Sequence, residues 1–139
     1  MTRTGPAKSV DGPFAKGRLA NARAYLEAAE AAAMLAQPGD NANPIISHVV
    51  NAAIAYTDAL TARHGGRVNQ KDHAAAVKAL RDALGNRLPK AQQNRLSKIL
   101  KRKDEAQYGA RHAPLTRGIE LLKELHEFAR WAEAALMEA

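Results

Sequence analysis

The sequence predicts an all-α domain built as a five-helix bundle, and three observations carry that expectation. Alanine is the commonest residue and aromatics make up 4% of the chain, which suits thin helices packed closely and disfavours a sandwich or barrel of β-branched and aromatic strands. Apolar residues recur at three- and four-residue intervals, with no useful period-two stretch and no convincing internal repeat. Breaks containing Pro-Gly, Gly-Gly or a single Gly separate those runs. With 139 residues, 46% of them hydrophobic, the chain is expected to form one domain over 14–139 with a real core, preceded by a flexible tail over 1–13.

The first helix is expected over about 14–37, with Leu19, Ala22, Leu26, Ala29 and Ala33 on one stripe, and it stops at Pro38-Gly39-Asp40. The second opens with Asn43 as N-cap and Pro44 at the first helical position, where the missing N–H costs nothing. Its stripe of Ile46, Val50, Ala53, Thr57 and Leu60 is doubled by Ile45, Val49, Ala52 and Tyr56, so this helix should be central. It ends at His64-Gly65-Gly66. The third begins near Asn69 to Lys71 and closes on Gly85. The fourth spans about 90–108, with Leu96, Ile99, Leu100 and Ala106 inward and Arg95, Lys98 and Arg102 outward, and Gly109 ends it. Thr116 caps the fifth. Its stripe runs from Ile119 to Leu136, widened by Leu121, Phe128 and Trp131, a surplus of apolar surface that predicts a homodimer.

Composition removes several chemistries. Without cysteine there is no disulfide, thiolate zinc ligand, iron–sulfur cluster or thiol nucleophile. His126-Glu127 is followed by Arg130 where a zinc-protease helix needs its second histidine, and no phosphate-binding glycine loop occurs. His64, His73 and Asp72 would meet at a metal only if their loop folded back, so neither metal nor cofactor is expected. No window reaches the ~18 apolar residues of a membrane helix. The segment before Phe14 lacks the apolar stretch of a signal peptide, so a cytoplasmic location is expected.

The net charge of +7 is not spread evenly. Between Lys78 and Arg117 eleven basic residues face three acidic ones, for +8, while the rest of the chain nets −1. Such a segment marks either a polyanion-facing surface, with Arg95, Lys98, Lys101 and Arg102 as the candidate RNA contacts, or a solvated helix face. Other polar residues stand in awkward places. Asn51 and Asp58 share a face of the second helix, and a carboxylate there needs a cation or a solvent-filled cleft; Arg63 and Arg67 are the nearest cations in sequence. Lys103 falls on the apolar stripe of the fourth helix, where it snorkels or points into a polar cavity. Asp72 and His73 fall at the start of the third helix, whose N-terminus lowers the pKa of a histidine while the adjacent Asp72 opposes this. His73 is there either a proton acceptor or a capping residue.

These residues resemble a known family. Ala55-Tyr56-Thr57-Asp58-Ala59-Leu60, then Gly66-Arg67, then Lys71-Asp72-His73-Ala74-Ala75-Ala76-Val77, with Lys103, Tyr108 and Gly109 closing the stretch from Leu96, are similar to the HEPN superfamily, particularly its small stand-alone bacterial members. The similarity covers most of 15–137. The superfamily signature is an arginine and a histidine four to six residues apart, and Arg67 and His73 have five residues between them. The loop departs from the pattern in being a residue short and in carrying Val68 where a second arginine usually stands.

The resemblance implies a helical bundle that dimerises so that two Arg/His sets line one cleft. It also implies a metal-independent endoribonuclease of toxin–antitoxin or defence systems, or a non-catalytic relative that binds nucleotide or RNA. Cleavage by the RNA 2′-hydroxyl needs no enzyme nucleophile, only a base, an acid and cations for the phosphate. His73 would then move the proton and Arg67 would clamp the phosphate. Lys103 would add charge, Tyr108 would bond phosphate or stack on a base, and Asp58, with Asn51 on its face, would hold Arg67. The competing readings are a binding module with the same surface, and a structural dimer whose basic helix meets an acidic protein such as an antitoxin.

Overall fold

The computed structural model describes residues 8–9, 12–68 and 73–138, with the backbone alone at 8, 9, 73 and 74. The chain is all-α: α1 (Gly12–Leu35), α2 (Asn43–Gly65), α3 (His73–Leu84), a 3₁₀ turn at Gly85–Arg87, α4 (Lys90–Leu100), α5 (Lys103–Tyr108) and α6 (Leu115–Leu136). Two short strands, β1 (Lys8–Ser9) and β2 (Arg67–Val68), pair antiparallel. The segment expected to be a tail therefore contributes a strand at Lys8–Ser9, and α1 starts at Gly12.

α2 is the centre of the bundle, and both of its apolar faces are covered within the chain. α1 packs along one side more extensively than any other pair of elements, and α6 covers another. The buried residues of α1 are Ala15, Ala22 and Ala29, seven apart, and α2 buries Ala52, Ala55, Ala59 and Ala62. Alanine pairs of this kind let two helix backbones approach closely, which is what the alanine-rich composition implied. The Asn51–Asp58 face, flanked by the fully buried Ala55, is partly covered. α6 runs parallel to α2: its Gly118 sits against Ala42 and Ile45, Glu133 reaches Tyr56, and His64 Nε2 donates to Ala135 O at 2.9 Å.

The apolar surplus on α6 is spent inside the chain. Leu121 is 1% exposed and Phe128 is fully buried, with Trp131 half-buried against Phe128 at a ring separation of 5.6 Å. Two of the three residues that widen the α6 stripe are thus covered within the chain, and Trp131 keeps part of its surface exposed.

The ends of the helices follow local chemistry, with adjustments. Ala42, not Asn43, precedes the first residue of α2. Asn41 Oδ1 accepts from Asn43 N and from Ala113 N, each at 3.1 Å, while Asn43 Nδ2 donates to Arg111 O at 2.7 Å. Those bonds, with Ala42 N donating to Ala113 O at 2.9 Å, tie the loop before α2 to the loop before α6. Gly66 ends α2 at φ +66°, in the left-handed region that a side chain rarely adopts. Pro114, not Thr116, occupies the N-cap of α6.

The expected fourth helix is two. It stops at Leu100, turns through Lys101–Arg102 and resumes as α5, which has no fully buried residue. The break explains the awkward lysine: Lys103 opens α5 and is half-buried, off the line of Leu96, Ile99 and Leu100.

Gly118 tests the close packing of α6 on α2. A Cβ there would lie 2.9 Å from Ala42 Cβ, whereas one at Gly17 of α1 meets nothing. Gly118→Val is expected to lower stability in urea by about 2 kcal/mol or more through overpacking. Gly17→Ala should raise it by about 0.5–1 kcal/mol through helix propensity. Equal effects at the two sites would contradict the packing described.

Candidate functional site

Arg67 lies on β2, exposed, at the rim of a cavity of about 240 Å³ between the end of α2 and α3, with Thr61, Val68, Ala79, Asp82 and Ala83 around it. β1 pairing positions the residue from behind, since Ser9 is its register partner. His73 is the first residue of α3; its side chain, together with Lys71 and Asp72, lies outside the described residues.

Asp58 does not hold Arg67. It accepts from Arg18 of α1, with Nη2 at 3.0 Å and Nε at 3.2 Å, and its side chain is 17% exposed. Burial pushes the carboxyl up to about 6, and the Arg18 charge opposes that rise without cancelling it. The sequence carries a sign of this pairing: Arg18 and Asp58 each lie twenty residues from Pro38, so an antiparallel pair of helices turning at Pro38-Gly39 sets them opposite one another.

Asn51 likewise has a structural partner, for Gln107 Nε2 donates to its Oδ1 at 3.2 Å and anchors α5 to α2. Lys103 and Tyr108, at the two ends of α5, therefore sit by the Asn51 level of α2. Asn51 and Gly65 are separated by about 21 Å of helix at 1.5 Å per residue, and Arg67 lies beyond Gly65. The residues expected to form one site are thus divided within the chain: Arg67 near one end of α2, and Asn51, Lys103 and Tyr108 near the middle. Tyr108 is 77% exposed. Gly109 follows it because a Cβ there would come within 2.6 Å of Glu105 O.

The basic segment is also sorted by the fold. Glu124 of α6 accepts from Arg95 Nε at 3.2 Å and Lys98 Nζ at 2.9 Å, and these cations, Lys98 foremost, hold its carboxyl below the usual range. Glu120 lies 4.0 Å from Lys98, and Glu105 sits between Arg102 at 3.5 Å and Arg117 at 3.6 Å. Two of the four expected RNA contacts, Arg95 and Lys98, are consequently neutralised by α6, and Arg102 shares Glu105. Lys101 is exposed and forms no ion pair among the described residues, and the same holds for Arg81, Arg87, Lys90 and Arg111. Asn94, Ser97, Lys98, Lys101 and Arg102 line a shallow groove on the outer side of α4.

A second charged network went unread in the sequence. Glu133 accepts from Arg23 at 2.6 and 2.9 Å and from the Tyr56 hydroxyl at 3.0 Å, and His126 Nε2 meets Glu30 at 2.7 Å. Burial, and then Glu133, raise the Tyr56 pKa. These groups satisfy one another and fasten α1 to α6 over α2. Among the described residues no three His, Asp or Glu side chains converge as a metal site, and no helix is long and apolar enough to cross a membrane. No family model matches the chain, and neither does any curated protein.

Asp58 generates a pH-dependent test. A carboxyl whose folded pKa is raised contributes stability that is fully present below its unfolded value near 3.9 and is lost as pH rises through about 6. Wild type relative to Asp58→Asn should therefore lose about 2–3 kcal/mol between pH 4 and pH 7, read from urea unfolding at each pH. A difference that is flat, or that rises with pH, would contradict the burial argument.

Proposed function

We propose that this chain is an RNA-binding helical module whose phosphate-contacting surface is the outer face of α4 with its flanking turns. The observation that carries this reading is the set of exposed cations left without ion pairs among the described residues: Arg87 and Lys90 at one end of α4 and Lys101 at the other. α4 itself contains no acidic residue. Cations placed so have no structural task and face outward, which is the arrangement that neutralises a polyanion and releases its counterions. The resemblance to the HEPN superfamily supports RNA as that polyanion.

The test is the salt dependence of binding. Fluorescence anisotropy with a labelled RNA should show log affinity falling linearly with log salt. Replacing Lys90 and Lys101 by Gln should reduce that slope by about 0.7–0.9 for each lost phosphate contact. Arg95→Gln should change it less, because Glu124 already holds that side chain. A flat response would return the segment to a solvated face.

Arg67 favours a second reading, a metal-independent endoribonuclease, because it stands exposed at a cavity rim and His73 is the first residue of α3. Since Lys103 and Tyr108 lie at the level of Asn51, well along α2 from Arg67, a composite site on this reading takes Lys103 and Tyr108 from a second copy of the chain in a homodimer. Mixed RNA incubated in EDTA should then be cut to 2′,3′-cyclic phosphate ends. His73→Ala and Arg67→Ala should each slow cutting by roughly two to four orders of magnitude. Cleavage indifferent to both changes would exclude this mechanism.

A further inference from the structure

The outer face of α4 defines its ligand more closely, on the premise that this face binds RNA. Lys90, Ala91, Asn94, Lys98 and, one residue past the helix, Lys101 are exposed, with Ser97 half-exposed beside them. Their spacing places them on one stripe. Lys90 and Lys101 are about 16 Å apart along the axis at 1.5 Å per residue. Between them Lys98 is paired with Glu124 at 2.9 Å and lies 4.0 Å from Glu120, so the stripe presents an unpaired cation at each end and an amide, a hydroxyl and an ion-paired ammonium in the middle.

A single line of phosphates running along the helix would find its middle unmatched. Two lines of phosphates separated by a groove would each find one end cation. A-form RNA has such a groove: its minor groove is wide, shallow and lined with 2′-hydroxyls that both donate and accept, while its major groove is too deep and narrow for side chains. The Asn94 amide and the Ser97 hydroxyl each offer a donor and an acceptor, and Ala91 leaves room for close approach. α4 has no aromatic on which an unpaired base would stack. We infer that the ligand of this face is duplex RNA, with α4 laid across the minor groove, Lys90 and Lys101 on the phosphates of opposite strands, and Asn94 and Ser97 on the 2′-hydroxyls between them.

Anisotropy with a duplex RNA of about 16–20 base pairs, its single strand, the matching DNA duplex and a 2′-O-methylated duplex tests this. Duplex RNA should bind best, with the DNA duplex and the methylated duplex each about tenfold weaker, the scale of one or two lost hydrogen bonds. Asn94→Ala with Ser97→Ala should cost about tenfold on duplex RNA and nothing on the DNA duplex. The methylated duplex gives the same reading on the unaltered protein should the variant not fold. Equal affinity for RNA and DNA duplexes, or a preference for the single strand, would overturn the duplex inference and leave RNA binding by this face standing. Failure to bind any of the four nucleic acids would instead remove the RNA-binding reading itself.

Discussion

The rest of the molecule depends on the burial of α2 along almost its whole length. Ala15, Ala22 and Ala29 bring α1 close on one side, and Gly118 does the same for the start of α6. A helix enclosed in this way must satisfy its own polar side chains. Asp58 takes Arg18, Asn51 takes Gln107, the Tyr56 hydroxyl donates to Glu133, and Thr57 Oγ1 donates back to Ala53 O. Among the described residues His48 departs from that pattern, for its Nδ1 is buried without a hydrogen-bond partner. The bonds of Asp58, Asn51 and Tyr56 each select a neighbour, so these polar residues of α2 set the positions of α1, α5 and α6 that its apolar residues alone would leave free to slide.

The same enclosure decides where chemistry has room. Asp58 and Asn51 look like site residues in one dimension because they are polar on an apolar helix, but they are structural ties. The proposed phosphate-contacting surface lies outside, on α4, whose inner side is committed to the core through Leu96, Ile99 and Leu100. α6 then trims that outer charge: Glu124 pairs with Arg95 and Lys98, Glu120 lies 4.0 Å from Lys98, and the two ends of α4 stay positive. The resulting surface is a spaced pair of charges rather than a continuous basic stripe, and the proposed choice of duplex RNA rests on that spacing.

Local chemistry was legible in the sequence and long-range partnership was not. The stops at Pro38-Gly39, Gly66 and Gly109 follow from residues at those positions, as does the centrality of α2. The turn at Lys101–Arg102 carries neither glycine nor proline, and its one sign was a lysine on an apolar stripe, which reads equally as snorkelling. The pairing of Lys98 with Glu124 spans 26 residues and depends on how α4 lies against α6, so a charge count over one segment missed it. Phe128 and Leu121 look like surplus in the sequence because the number of neighbours around α6 is a property of the packed bundle. Arg18 and Asp58 are the exception, a distant pair that reflection about Pro38 recovers.

The most direct measurement of the central claim is a map of where RNA touches the protein. Backbone amide NMR spectra recorded while a short RNA is titrated into the uniformly labelled chain would locate the contact residue by residue. Shifts concentrated at Lys90, Asn94, Ser97, Lys98 and Lys101, with Arg67 and Val68 unmoved, are the result this account predicts. Shifts centred on Arg67, Val68 and the start of α3, with α4 unmoved, would contradict it.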